Sequence, residues 1–181
     1  MSTSLDLSKL SLMDALDLAI LIEEEARGRY ELFASLIGPT ATGYNAGAFF
    51  ASMAENEAKH GTELLERRMA RFGKVPMKVK MEDIYDIEAP DSGAPRKGMS
   101  TVQAFELGLQ SEKKAHDFFD SALPGIADPE VKELFAELRF QHAGRDGLAC
   151  DYLSGVATAS VRMGEREAAE ELFATVVAWR M

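Results

Sequence analysis

A single cysteine, Cys150, in 181 residues leaves the chain no intramolecular disulfide and no Cys-x-x-Cys metal or redox module, since each needs two thiols. Clustered positive charge is equally scarce. The formal net charge is -10, with 20 Lys and Arg against 30 Asp and Glu, and the one dense basic stretch, Glu66-Arg67-Arg68-Met69-Ala70-Arg71, reads as a helix C-terminus, where cations suit the dipole. Nucleic acids and anionic membranes reward clusters of Lys and Arg, so neither is an expected partner. Long apolar runs are also missing. Asp6, Lys9, Asp14 and Asp17 break up the N-terminal apolar residues before Leu18, so no signal peptide is expected, and no charge-free segment reaches membrane-spanning length. A reducing, cytoplasmic setting is the expectation. Nothing matches a nucleophile triad, a Walker loop or a dinucleotide fingerprint.

What the chain does have is helical periodicity. With 46% hydrophobic and 28% charged residues it can bury one core, and a single domain over 1–181 is expected. A Ser11-x-x-Asp14 cap precedes Leu12, Ala15, Leu16, Ala19, Ile22, Glu23, Ala26, Tyr30 and Phe33, and Gly38-Pro39 stops this first helix. Phe49, Phe50, Met53, Glu57, His60 and Leu64 mark a second helix ending near Phe72-Gly73. From about 74 to 99 the periodicity disappears and Pro76, Pro90 and Pro95 appear with Gly93 and Gly98. That length lets the third helix run in a direction a short loop would forbid, and the charged centre, Lys78 to Glu88, is open to a partner contact. Ser100 with Gln103 caps a third helix through Leu109, Glu112, Ala115 and Phe119, and Asp128-Pro129 opens a fourth carrying Phe135, Leu138 and His142. The expected fold is an all-α four-helix bundle over about 12–153, with a long crossover between helices two and three and a short C-terminal helix at about 163–178.

The chain also repeats itself. A shift of 89 positions superposes Ala15, Leu18, Glu23 and Ala26 on Ala104, Leu107, Glu112 and Ala115, with Tyr30 falling on Phe119. Glu23 and Glu112 therefore hold equivalent places inside apolar stripes, where a carboxylate must be paired, protonated or bound to metal. In Glu57-x-x-His60 the two side chains are three residues apart and share one helical face. Di-metal carboxylate bundles take one Glu from each of two helices and Glu-x-x-His from each of the other two. Glu23, Glu112 and Glu57 with His60 meet three of those four requirements.

On Glu23-x-x-Ala26-x-x-x-Tyr30, Glu57-x-x-His60, Glu112-x-x-Ala115 and the long crossover, the chain resembles the ferritin-like di-iron proteins, most of all the rubrerythrin-like group, without a rubredoxin module. The resemblance implies two irons that react with oxygen or hydrogen peroxide. It makes Glu23, Glu57, His60 and Glu112 metal ligands and Tyr30 an aromatic behind them that can assist catalysis. It also implies a homo-oligomer, a dimer or larger. The fourth helix departs from the pattern. Matching His142 to His60 puts Arg139 at the glutamate position; matching Phe135 and Leu138 to Phe50 and Met53 puts His142 there and Arg145 at the histidine position. The second register keeps the apolar stripe aligned and is preferred, with His142 the fifth candidate ligand. Either way a bridging carboxylate is missing, and a guanidinium cannot replace it. Asp146 and His116 are weaker candidates to compensate, or stand in solvated or structural pairs.

Two functions compete. One is a di-iron oxidoreductase of peroxidase or ferroxidase type, or an iron-handling protein; as a peroxidase it needs a separate electron-donor protein, because the chain carries no cysteine module. The other is a redox-silent metal-binding or structural bundle with a degenerate site, holding one metal or none. Mixed imidazole and carboxylate donors also accept zinc or manganese.

Overall fold

Three local motifs start three of the helices. In a computed structural model, which describes residues 2–3, 5–38, 46–91, 93, 96 and 98–142, Ser11 caps α1 (Leu12–Ile37). The Asp14 backbone amide donates to the Ser11 hydroxyl at 3.2 Å, and the Ser11 amide donates back to the Asp14 carboxylate at 3.4 Å. Ser100 and Gln103 build the same reciprocal cap on α3 (Thr101–Ala122), with distances of 3.2 and 3.0 Å. Asp128 opens α4 (Pro129–Gln141) by accepting from the amides of Glu130 and Val131, and Pro129 occupies the first turn, where no amide is needed. Each such cap contributes about 1 kcal/mol. At the other end of α2 (Ala46–Phe72), Gly73 takes a positive φ of 64°, and its amide bonds to the Met69 carbonyl at 2.9 Å.

The most extensive packing is of α1 against α2, and α3 packs about equally against α4 and α2. Where α2 meets α3, Gly108 faces the Phe49 ring so closely that a Cβ would come within 2.7 Å of it. The interior divides into two apolar clusters. One gathers Leu16, Leu18 and Ile22 of α1 with Phe119, Leu134, Phe135 and Leu138; the other gathers Ala26, Tyr30 and Phe33 with Phe49, Phe50, Met53 and Leu109. On three helices the step from one cluster to the other falls at a glutamate: Glu23 between Ile22 and Ala26, Glu57 between Ala54 and Leu64, Glu112 between Leu109 and Ala115.

The crossover is the main correction to the sequence reading. While Lys78, Lys80 and Glu82 of its charged centre stay exposed, it lays Val79, Ile84, Ile87, Glu88, Ala89 and Pro90 into the bundle as buried residues. Its middle pairs as a two-residue strand, β2 (Ile84–Tyr85), antiparallel with β1 (Ser2–Thr3) at the N-terminus. Its root is tied down by a buried ion pair between Asp17 of α1 and Arg68 of α2. Arg68 also donates to the Val75 carbonyl at 2.9 Å, and the Lys78 amide donates to Asp17 at 3.2 Å. Arg68 is therefore a core residue and not a solvated cation at a helix end. Met77 and Met81 are exposed, so they fill no gap. The continuation of α4, the C-terminal helix at about 163–178, Cys150, Arg145 and Asp146 lie outside the described residues.

Candidate metal centre

Six donor side chains meet in the belt between the two apolar clusters. α1 contributes Glu23, α2 contributes Glu57 and His60, α3 contributes Glu112, and His142 comes from the position capping the C-terminus of α4. The sixth is Glu88 from the crossover, with 0% of its surface exposed. Ligating atoms of these residues fall into three overlapping triads, in each of which they lie within 4.8 Å of one another: Glu23, Glu57 and His60; Glu23, Glu88 and His142; Glu57, Glu88 and Glu112. Glu23, Glu57 and Glu88 each belong to two triads, and one imidazole stands at each end.

No lysine or arginine neutralises the cluster among the described residues. Its contacts are internal. His60 Nδ1 lies 3.5 Å from Glu23 Oε2 and 3.4 Å from Glu57 Oε2. His142 Nδ1 lies 3.0 Å from Glu112 Oε2 and 3.9 Å from Glu88 Oε1, and its ring stacks on Phe119 at 5.7 Å. Many polar atoms stay without a hydrogen-bond partner: Glu23 Oε2, Glu57 Oε1, both oxygens of Glu88, His60 Nδ1 and His142 Nε2. Buried orphans of this kind are costly and rare. A shared cation resolves them together, because carboxylate oxygens and imidazole nitrogens are the donors that iron, manganese and zinc accept. The spacing agrees as well: two atoms each about 2.1 Å from one ion stand about 3.0–3.4 Å apart, close to the His60 contacts.

Electrostatics records the same strain. Burial pushes the Glu57 carboxyl up to about 8, helped by the charges of Glu112 and Glu23 and opposed by His60. Burial likewise drives Glu88 well above the usual carboxylate range, with Glu23, Glu57 and Glu112 adding to it. His60 is raised to about 10, first by Glu23 and then by Glu57. Burial alone would lower His142, but the Glu112 carboxylate outweighs it and the net shift is upward. The metal-free cluster keeps protons that bound cations would displace.

Glu23, Glu57, His60, Glu112 and His142, picked from sequence, are thus brought into one cluster. Tyr30 is fully buried beside it and stacked on Phe50 at 6.0 Å. Burial first, then the Glu112 and Glu57 charges, hold its phenol well above its ordinary value. His116 does not join: it is half-exposed, with Nδ1 3.3 Å from Asp117. At about 100° per residue, the buried line Glu112, Ala115, Phe119 leaves His116 to one side. Arg139 turns outward to Asp120 at 2.7 Å. Phe135, Leu138 and His142 repeat the spacing of Phe50, Met53 and Glu57 and are buried as they are.

Among the described residues, the fourth helical segment brings no carboxylate to the cluster, and the crossover brings Glu88. Sequence reasoning missed Glu88 because its segment has no periodicity; the available signal was a lone acid between Ile87 and Ala89. Glu25, beside the cluster's α1 donor in sequence, is half-buried and lies 3.7 Å from Arg29.

A pocket of about 80 Å³ lies between α2 and α4 against His60, lined also by Glu63, Leu64, Leu134 and Gln141. Arg67 and Glu137 stand in its wall, joined at 2.8 Å. No helix among the described residues is long and apolar enough to cross a membrane.

Comparison with known proteins adds two findings. The sequence model of the rubrerythrin family matches residues 14–141, a span holding five of the six donors and stopping one residue before His142. The chain is also similar to a crystal structure of an uncharacterized conserved protein from Magnetospirillum magnetotacticum MS-1, at 24% identity and a TM-score of 0.61, over 81% of this chain and 95% of that one. At that identity the likeness concerns the fold. No curated protein matches the chain.

Proposed function

The chain belongs to the rubrerythrin family, and from that premise we propose that it is a two-metal carboxylate protein, with iron its metal, that turns over hydrogen peroxide or oxygen. The observation carrying this reading is the belt of four glutamates and two histidines whose inward atoms lack partners. Glu23, Glu57 and His60 would hold one ion, and Glu88 with Glu112 and His142 the other, the contact between Glu112 and His142 being 3.0 Å, with Glu23, Glu57 and Glu88 each in two of the three triads and so near enough to be shared. Bound iron supplies the redox chemistry by which an O–O bond is reduced.

The chain's own residues supply the rest. Four carboxylates offset up to four positive charges, which favours the oxidised over the reduced form of the centre. Tyr30, kept protonated by burial, provides a hydroxyl donor in an otherwise acceptor-rich pocket. The two apolar clusters exclude bulk water on either side. Access through the pocket of about 80 Å³ beside His60 suits a small oxidant. With one cysteine in the chain, continued peroxide reduction draws electrons from a separate donor protein.

The test is anaerobic loading with ferrous iron, wild type against Glu57→Ala, followed by addition of peroxide while the ferric absorption is recorded. Two irons per chain, lost in the variant and oxidised rapidly by peroxide, are expected. One redox-silent ion, or none, would overturn the proposal in favour of a binding or structural bundle.

A further inference from the structure

Glu88 is an unusual group to find in a bundle core, because no helix carries it there. Its segment must be held in place from outside, and the clamps are visible on both sides of it. On α3, Lys114 pairs with the Asp86 carboxylate and donates to the Ala89 carbonyl at 2.9 Å, gripping a side chain two residues before Glu88 and the backbone one residue after it. On α1, Arg29 donates to the Pro90 carbonyl at 2.8 Å. Asp86 has a φ of 56°, the left-handed region that side-chain-bearing residues rarely adopt. That turn reverses the chain between the β2 pairing and the buried Ile87-Glu88-Ala89 stretch.

We propose that Lys114 and Arg29 are positioning residues that hold the crossover so that Glu88 completes the second metal position, in place of the carboxylate that the described part of the fourth helix does not bring. The inference rests on the two-metal reading above. Lys114 follows Glu112 by two residues, so one stretch of α3 presents a donor to the centre and a clamp to the strap. Neither cation touches the cluster; both act through the backbone that carries Glu88. Without them only the strand pairing and the burial of Ile84, Ile87 and Ala89 oppose withdrawal of Glu88, whose two unpartnered carboxylate oxygens favour return to water.

The experiment is a Co²⁺ titration of the full chain under anaerobic conditions, followed by visible absorption and equilibrium dialysis. Wild type is expected to take two ions. Lys114→Met is expected to keep the ion at Glu23, Glu57 and His60 and to bind the second at least tenfold more weakly. Glu88→Gln should behave alike, and adding Lys114→Met to it should weaken the second ion no further, which general destabilisation would not produce. Lys114→Arg should restore much of the affinity. Asp86→Asn, which removes the strap-side partner at a half-exposed position where asparagine tolerates positive φ, carries the same test should Lys114→Met not fold. Two equally tight ions in wild type, Lys114→Met and Asp86→Asn would overturn the clamp while leaving the two-metal reading intact. Fewer than two ions in wild type would overturn that reading, and this inference with it.

Discussion

Replacing Glu57 with glutamine should make the metal-free protein more stable and the metal-loaded protein less so. Glu57 is 2% exposed, and its carboxyl is raised from 4.5 to about 8 in the fold. Between those values the native state binds a proton that the unfolded chain has released, so metal-free stability falls as pH rises from about 4.5 to about 8. At pH 7 the cost of keeping that proton is roughly 3 kcal/mol, at about 1.4 kcal/mol per pKa unit. Glutamine does not bear that cost, but it also removes the second of the two carboxylates that raise His60 to about 10. The His60 contribution is fully present below 6.5 and is lost as pH climbs through about 10. The net gain for Glu57→Gln at pH 7 should therefore be about 1–3 kcal/mol, shrinking to under about 1 kcal/mol at pH 5. Urea unfolding in chelator at the two pH values measures it, and adding Co²⁺ should stabilise the wild type far more than the variant. A Glu57→Gln protein less stable than wild type at pH 7 in chelator, or a difference that does not grow between pH 5 and 7, would refute the account of an electrostatically frustrated cluster.

Arg68→Met should be among the most destabilising single changes, costing about 3–5 kcal/mol because it strands the buried Asp17 carboxylate; adding Asp17→Leu should recover most of the loss in denaturant unfolding, and a single-variant cost below about 1 kcal/mol would show the pair to be solvated. Glu137→Ala, at the half-exposed wall of the pocket beside His60, should change stability by less than about 1 kcal/mol yet speed peroxide oxidation of the loaded centre in stopped flow, and an unchanged rate would move the access route elsewhere.

The boundaries of the helices were legible because caps are local. Ser11 with Asp14, Ser100 with Gln103, and Asp128 before Pro129 act over three residues, and each does in the fold what its spacing predicts. Glu23, Glu57 and Glu112 stood out for a related reason, as acids placed where the helical period demands apolar side chains. The pairing of Asp17 with Arg68 was invisible because its partners are 51 residues apart and each looks like an ordinary helix charge. His116, four residues from Glu112, falls beyond the edge of a narrow buried line and takes the structural pairing, with Asp117, that stood as the alternative to a ligand's role. Glu88 illustrates the general limit, since periodicity is the tool for finding an inward-facing residue and an irregular segment has none.

That limit bears on how the centre is put together. A bundle that takes every ligand from helices positions them by the packing of its core, so the site is as rigid as the core itself. Here one carboxylate arrives on a strap held by a two-residue strand pairing, a lysine, an arginine and the burial of Val79, Ile84 and Ile87 in one of the two apolar clusters, so that its opening gives up those contacts while the helices stay formed. Local opening of that kind requires less free energy than unfolding a helix. The donors on α1 and α2 remain fixed by the core while Glu88 depends on its clamps, so the position beside His60 should be preorganised and the position beside His142 conditional on the strap. On the two-metal reading proposed above, the centre is therefore asymmetric, and its two ions should differ in affinity even though each would have one imidazole and a share of the same carboxylates.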